Sequence, residues 1–121
     1  MDKSIPVKQI MSTDIYSLGP DISCDFAKQL MLWRNIHHIP AEDTEGNLIG
    51  ILTDGMIANC EDGDYISDVM KKDFVSIKAK QSISEVIEIF KSKNFTCLPV
   101  VYKHRLVGIL TDKDILHVLN N

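Results

Sequence analysis

The sequence predicts an α+β fold built from two β-α-β-β-α repeats packed about a pseudo-two-fold axis. Three observations carry this expectation. The pentapeptide Gly-Ile-Leu-Thr-Asp occurs at Gly50–Asp54 and again, unchanged, at Gly108–Asp112. Upstream of each copy the same residues recur in the same order: Met11 with Met70, Asp14 with Asp73, Ser17 with Ser76, Ser23 with Ser82, Asn35 with Asn94 and Pro40 with Pro99. Each copy also holds one stretch of helical spacing followed by two short β-rich runs. The repeats divide the chain at 1–60 and 61–121, and the acidic, glycine-containing run Cys60–Asp64 reads as the linker between them.

In chain order, Ile15–Leu18 reads as the opening strand of the first repeat. Ser23 then caps a helix whose apolar face carries Phe26, Ala27, Leu30 and Met31. His37–Ala41 and Leu48–Leu52 form a hairpin around the Glu45-Gly46-Asn47 turn. In the second repeat the strand Phe74–Ile77 precedes Ser82-Ile-Ser-Glu85, a capping-box sequence, and a helix from Ser82 to Asn94 buries Ile83, Val86, Ile87 and Phe90. Cys97–Val101 and Leu106–Leu110 make the second hairpin around Lys103-His104-Arg105, and Thr111-Asp112 caps a closing helix, Lys113–Leu119. One repeat of about 55 residues buries only about 60% of its unfolded surface. Two copies are therefore expected to share a core, and duplication predicts two quasi-equivalent sites.

Composition excludes several function classes. With 17 acidic against 13 basic residues the net charge is −4, which offers no basic surface for a nucleic-acid backbone. The start MDKSIPVKQI lacks the apolar core of a secretion signal, and no apolar run approaches the roughly 20 residues that span a bilayer. A soluble, cytoplasmic protein without a membrane partner is expected. Three cysteines with no CxxC pair predict reduced, buried thiols rather than a disulfide framework or a zinc site. His37 and His38, adjacent in a strand, point to opposite faces and cannot easily chelate one metal ion. The hydrolase, zinc-protease and nucleotide-loop motifs are absent, so catalysis is not expected.

The residues that follow the shared pentapeptide differ, Gly55-Met56 against Lys113-Asp114. Together with Val7-x-x-x-Met11 and Ile66-x-x-x-Met70, and with the strand ends Ile39-Pro40 and Leu98-Pro99, the duplicated order resembles a tandem pair of cystathionine β-synthase (CBS) domains, a Bateman module. The resemblance covers the whole chain. It implies a regulatory module without chemistry of its own that binds an adenosine nucleotide (AMP, ADP or ATP) or S-adenosylmethionine in clefts between the repeats, forms a homodimer and signals to a separate effector protein. It also implies site residues: Thr111 for phosphate, Asp114 for the ribose, and Phe74, Val75 and Ser76 with Cys97, Leu98, Pro99 and Val100 around the adenine. The matching set in the first copy is Tyr16, Ser17, His38, Ile39 and Pro40, with Thr53 at the strand end.

Physical chemistry gives these residue types a reason. A strand that turns at Thr111 into a helix presents unpaired amides and a positive dipole end, to which the Thr111 hydroxyl adds a donor and Lys113 a charge. A carboxylate at Asp114 can accept hydrogen bonds from two ribose hydroxyls. On position alone Asp114 reads first as a helix cap, and the T-x-x-D context reverses that preference. Met56, its counterpart, offers neither charge nor hydrogen bond, so the second site is expected to be the better one. The alternative is a structural dimerisation module with empty or non-nucleotide clefts, for which Leu32 and Trp33 supply a second apolar face on the first long helix.

Overall fold

Ser23 and Ser82 open the two long helices by the same local chemistry. Ser23 Oγ accepts from the Phe26 amide at 3.1 Å and Ser82 Oγ from the Glu85 amide at 3.2 Å. Each helix ends at an asparagine in the left-handed region, Asn35 and Asn94, both at φ 53°. The computed structural model describes residues 2–120. After a 3-10 turn at Val7–Gln9 come α1 (Cys24–Arg34), β1 (His38–Glu42), β2 (Leu48–Thr53), α2 (Asp54–Ile57) and α3 (Ile66–Val69). β3 (Ile77–Lys78), α4 (Ile83–Lys93), β4 (Cys97–Tyr102), β5 (Arg105–Thr111) and α5 (Asp112–Leu119) follow. None of these helices is long and apolar enough to cross a membrane.

The chain forms two compact units, one running from Tyr16 to Phe74 and the other joining the segment up to Ile15 with the chain from Val75 on. In the latter, β3 pairs in parallel with β4 and β4 pairs antiparallel with β5. Ile83, Val86, Ile87 and Phe90 of α4 and Ile115 and Val118 of α5 pack with Ile77, Leu98, Val100 and Leu110 of the sheet. Val7 is buried in the same core, its amide bonded to the Gln81 carbonyl at 2.8 Å, and Ser12 bridges Ile109 in both directions at 2.9 Å. In the Tyr16–Phe74 unit the β1–β2 hairpin packs with Ala27, Leu30 and Met31 of α1, and with Ile57 and Ile66. Ile66 donates to the Ile22 carbonyl at 2.9 Å, and Lys71 bridges Ile51. The compact units cut the chain at Ile15 and Phe74, elsewhere than the repeat boundaries 1–60 and 61–121 expected from the sequence.

Three expectations need correction. The opening strands are shorter than predicted: Ile15–Leu18 is reduced to one parallel bridge, Leu18 to Ala41, and Phe74–Ile77 becomes Ile77–Lys78. The reason is Pro40 and Pro99. Extending either parallel ladder by one step toward the N-terminus would require an N–H from that residue, and proline has none. Phe26 is 48% exposed, because α1 turns Cys24, Ala27, Leu30 and Met31 inward and leaves Phe26 on the flank. Finally, Cys24 and Cys60 are joined as a disulfide, with Cα atoms 6.3 Å apart, and are not reduced thiols. The linker brings them together: the Cys24 amide donates to the Asp64 carbonyl at 2.9 Å, which folds the Cys60–Asp64 run back onto the start of α1.

Candidate functional site

β5 stays extended through Thr111, and α5 begins at the next residue. Thr111 Oγ1 accepts from the Asp114 amide at 3.3 Å. In return Asp114 Oδ2 accepts from the Thr111 amide at 2.8 Å and from the Thr111 hydroxyl at 3.1 Å. This reciprocal box satisfies donors that a bare helix start would leave open. Both bonds to the carboxylate fall on one oxygen, and among the described residues Oδ1 accepts none. At the equivalent corner Thr53 Oγ1 accepts from the Met56 amide at 3.3 Å, but the thioether returns nothing, and the helix there is four residues long against eight for α5. The full box was read from Ser82 and Glu85; there, instead, the return bond joins the Ser82 hydroxyl to the Glu85 carboxylate at 3.3 Å.

Cys97 stands across the ladder from Thr111, and the Asp112 amide donates to the Thr96 carbonyl at 3.0 Å, so strand pairing fixes the corner. The Cys97 thiol is pushed up to about 12, first by burial and then by the negative charges of Asp114 and Asp112. It is accordingly a poor nucleophile. Leu98 and Val100 are 1% and 0% exposed and Pro99 is buried, so their side chains are committed to the core and present only backbone elsewhere. Val75 is half-buried against that core, and Ser76 is exposed. Lys113 is exposed, and its amide donates to Asp112 Oδ1 at 2.9 Å. Phe74, the last residue of the Tyr16–Phe74 unit, is half-buried.

The first-copy residues are arranged differently. Ser17 Oγ donates to Glu42 Oε2 at 3.1 Å, and Ile39 and Pro40 are fully buried. His38 is half-buried, one strand position before Ile39 and paired across the hairpin with Thr53. Tyr16 carries the Arg34 guanidinium at 5.5 Å from its ring centroid, a contact that sequence spacing does not reveal. His37 Nδ1 lies 2.8 Å from Asp54 Oδ2 on the surface, and the hydrogen bond from His37 is the main cause holding the Asp54 carboxyl below its ordinary range. Among the described residues no group of three His, Cys, Asp or Glu side chains is arranged to hold a metal ion.

Sequence reasoning also missed a groove of about 900 Å³ at the hairpin tip of β4 and β5, which gathers Lys78, Lys80, Lys103 and His104. Its signal was the cluster of cationic residues in Lys78-Ala-Lys80 and Lys103-His-Arg105; in the sequence His104 and Arg105 read first as a solvated turn, with phosphate steering as the lesser reading.

The sequence pattern of the CBS domain family matches twice, over residues 7–61 and 66–121. A CBS domain-containing protein of Dictyostelium discoideum is 29% identical over 130 residues, covering 93% of this chain and 90% of that protein. The inosine-5'-monophosphate dehydrogenase of Thermoplasma acidophilum is 33% identical over 108 residues; the match takes in 88% of this chain but spans only 22% of the enzyme. Among solved structures, a CBS domain pair in complex with 5'-methylthioadenosine and S-adenosyl-L-methionine is similar with a TM-score of 0.84 at 28% identity, covering 95% of each chain.

Proposed function

The chain belongs to the CBS domain family, as a tandem pair of CBS domains, and from that premise we propose that it is a non-catalytic regulatory module. In this reading it takes an adenosine-containing ligand at the Thr111–Asp114 corner and reports occupancy to a separate partner protein. The observation that carries the reading is the one-sided use of the Asp114 carboxylate. Oδ2 is held by Thr111, which fixes the group's orientation, while Oδ1 is left to accept from a ribose hydroxyl. The first amides of α5 are bonded within the corner, so what the helix start offers a phosphate or another electron-rich group is its positive dipole end, together with the exposed Lys113 side chain. A similar CBS pair holds two adenosine-containing ligands, which supports that ligand class. Met56 leaves the first-copy corner without a carboxylate at the position equivalent to Asp114, so a single stronger site is the expectation.

Thermal-shift titration with AMP, ADP, ATP, S-adenosylmethionine and 5'-methylthioadenosine tests the proposal. A ligand at 100 times its Kd stabilises the native state by about 2.7 kcal/mol. No shift with any of the five removes the adenosine reading.

A second reading, a dimerisation module, is favoured by one observation: Leu32 and Trp33 on α1 are 76% and 73% exposed and line a shallow depression with Gln29. A homodimer through this face is compatible with ligand binding. Sedimentation of the wild type against Leu32→Ser/Trp33→Ser checks it, because a wild-type monomer, or a dimer unchanged in the variant, excludes that interface.

A further inference from the structure

We infer that the groove at the β4–β5 hairpin tip is a second binding site, separate from the Thr111 corner, for a small anion carrying several phosphate groups. β4 has its first residue, Cys97, beside Thr111 and its last, Tyr102, beside the groove. At about 3.3 Å per residue the two places lie roughly 17 Å apart along the strand.

Charge is the first argument. Lys78, Lys80 and Lys103 form no ion pair with a carboxylate among the described residues, where the pairs are His37–Asp54 and Lys91–Glu88. Glu85, the one acid lining the groove, is turned to the Ser82 hydroxyl and the Gln81 amide. Three ammonium groups are thus gathered around one concavity of a chain whose net charge is −4. Concave walls of low dielectric strengthen their joint field.

Arrangement is the second. The Lys80 and Lys103 ammonium groups lie 6.0 and 5.4 Å from the centroid of the same Tyr102 ring. Cation–π attraction holds two like charges on one aromatic wall, against their mutual repulsion. The turn that presents Lys103 has Lys103 at φ 51° and His104 at φ 71°, both in the left-handed region, without a glycine. In the first repeat, by contrast, Gly46 takes the left-handed position, at φ 85°. A Lys-His pair placed where Asn-Gly fits with less strain puts two nitrogen-bearing side chains at the rim.

The same features select the ligand. Lysine ammonium groups donate and never accept, so they match phosphate oxygens. Several such groups around one groove match several linked phosphates better than one. The concavity is confined to one hairpin tip and the strand and helix start beside it, a size that suits a compact anion.

The test is NMR titration of the full chain with inorganic tripolyphosphate at low salt, alongside ATP to separate a free oligophosphate from a nucleoside polyphosphate. Amide shifts at Tyr102, Lys103 and His104 are expected, with at least 10-fold weaker binding in Lys80→Gln/Lys103→Gln. Lys28→Gln, a charge control on α1, should bind as the wild type does. Tyr102→Leu, which removes the aromatic wall but no charge, should weaken binding several-fold. The proposal is overturned by the absence of shifts at millimolar tripolyphosphate, by shifts confined to Thr111–Asp114, or by equal weakening in Lys28→Gln. S-adenosylmethionine, which carries no phosphate, reports on the Thr111 corner alone, so failure of one site leaves the other separately measured.

Discussion

The thioether of Met11 lies over Gly108, so closely that a Cβ on that glycine would overlap it. Met70 stands in the same relation to Gly50. Each methionine comes from the Val-x-x-x-Met or Ile-x-x-x-Met segment that docks on the strand edge beside it, through the Ser12–Ile109 and Lys71–Ile51 bridges. The glycine of the repeated pentapeptide is therefore the floor of a methionine-sized recess.

Gly108→Ala is expected to destabilise by about 1–3 kcal/mol through overpacking. Gly50→Ala should fall at the lower end, because only the flexible Met70 side chain must move there, whereas at Gly108 the Ser12 carbonyl oxygen also stands 3.1 Å from the added carbon. Urea midpoints at unchanged m-value measure both. A neutral Gly108→Ala would mean the recess is loosely filled.

Asp114 has two separable roles. Asp114→Ala removes the return half of the capping box and should lower stability by about 1 kcal/mol. Asp114→Asn keeps an oxygen that can accept from the Thr111 amide, and so most of that stability, while losing the charge. Both variants should weaken the adenosine ligand by about 1.5–3 kcal/mol, roughly 10- to 150-fold. Calorimetry giving wild-type affinity for Asp114→Asn would show that the carboxylate charge is not used.

Cysteine labelling checks the disulfide. Protein unfolded without reductant should take up one alkyl group, on Cys97, and three after reduction, because Cys24 and Cys60 are tied across a separation of 36 residues. Closing a loop of that length contributes about 2–4 kcal/mol, which Cys24→Ala/Cys60→Ala should lose. Three labels without reductant would contradict the pairing.

The Cys97 thiol gives a pH signature at the alkaline end. Its folded value of about 12 stands above the ordinary 9.0, so the native state holds the proton more tightly than the unfolded chain. The resulting stability is fully present below pH 9 and is lost as pH rises from 9 toward 12. Comparing wild type with Cys97→Ala isolates the effect: the stability difference between them should shift against the wild type across that window. A constant difference would indicate a thiol that ionises normally in the fold.

The two serine-capped helices, their asparagine ends and both hairpins were legible because each depends on residues within a few positions of one another. Thr111 and Asp114, three apart, were legible as a pair for the same reason, although their mutual bonding was not. The shortened opening strands were half-legible: Pro40 and Pro99 stand in the sequence, but their effect needs the parallel partner that their missing N–H fails to serve. Phe26 was misread because a helical face broad enough for Leu30 and Met31 includes Cys24 before it includes Phe26.

By itself the sequence determined the duplication, the order of elements and the chemical contrast between Met56 and Asp114, all carried by local period and by side-chain identity. Tertiary structure decided which distant segments meet. It joined Cys24 to Cys60, laid Met11 on Gly108, and set Lys80 and Lys103 against one tyrosine ring. Periodicity fixes the face a residue presents, but what that face meets depends on chain closure over tens of residues, which is settled by burial of the whole unit.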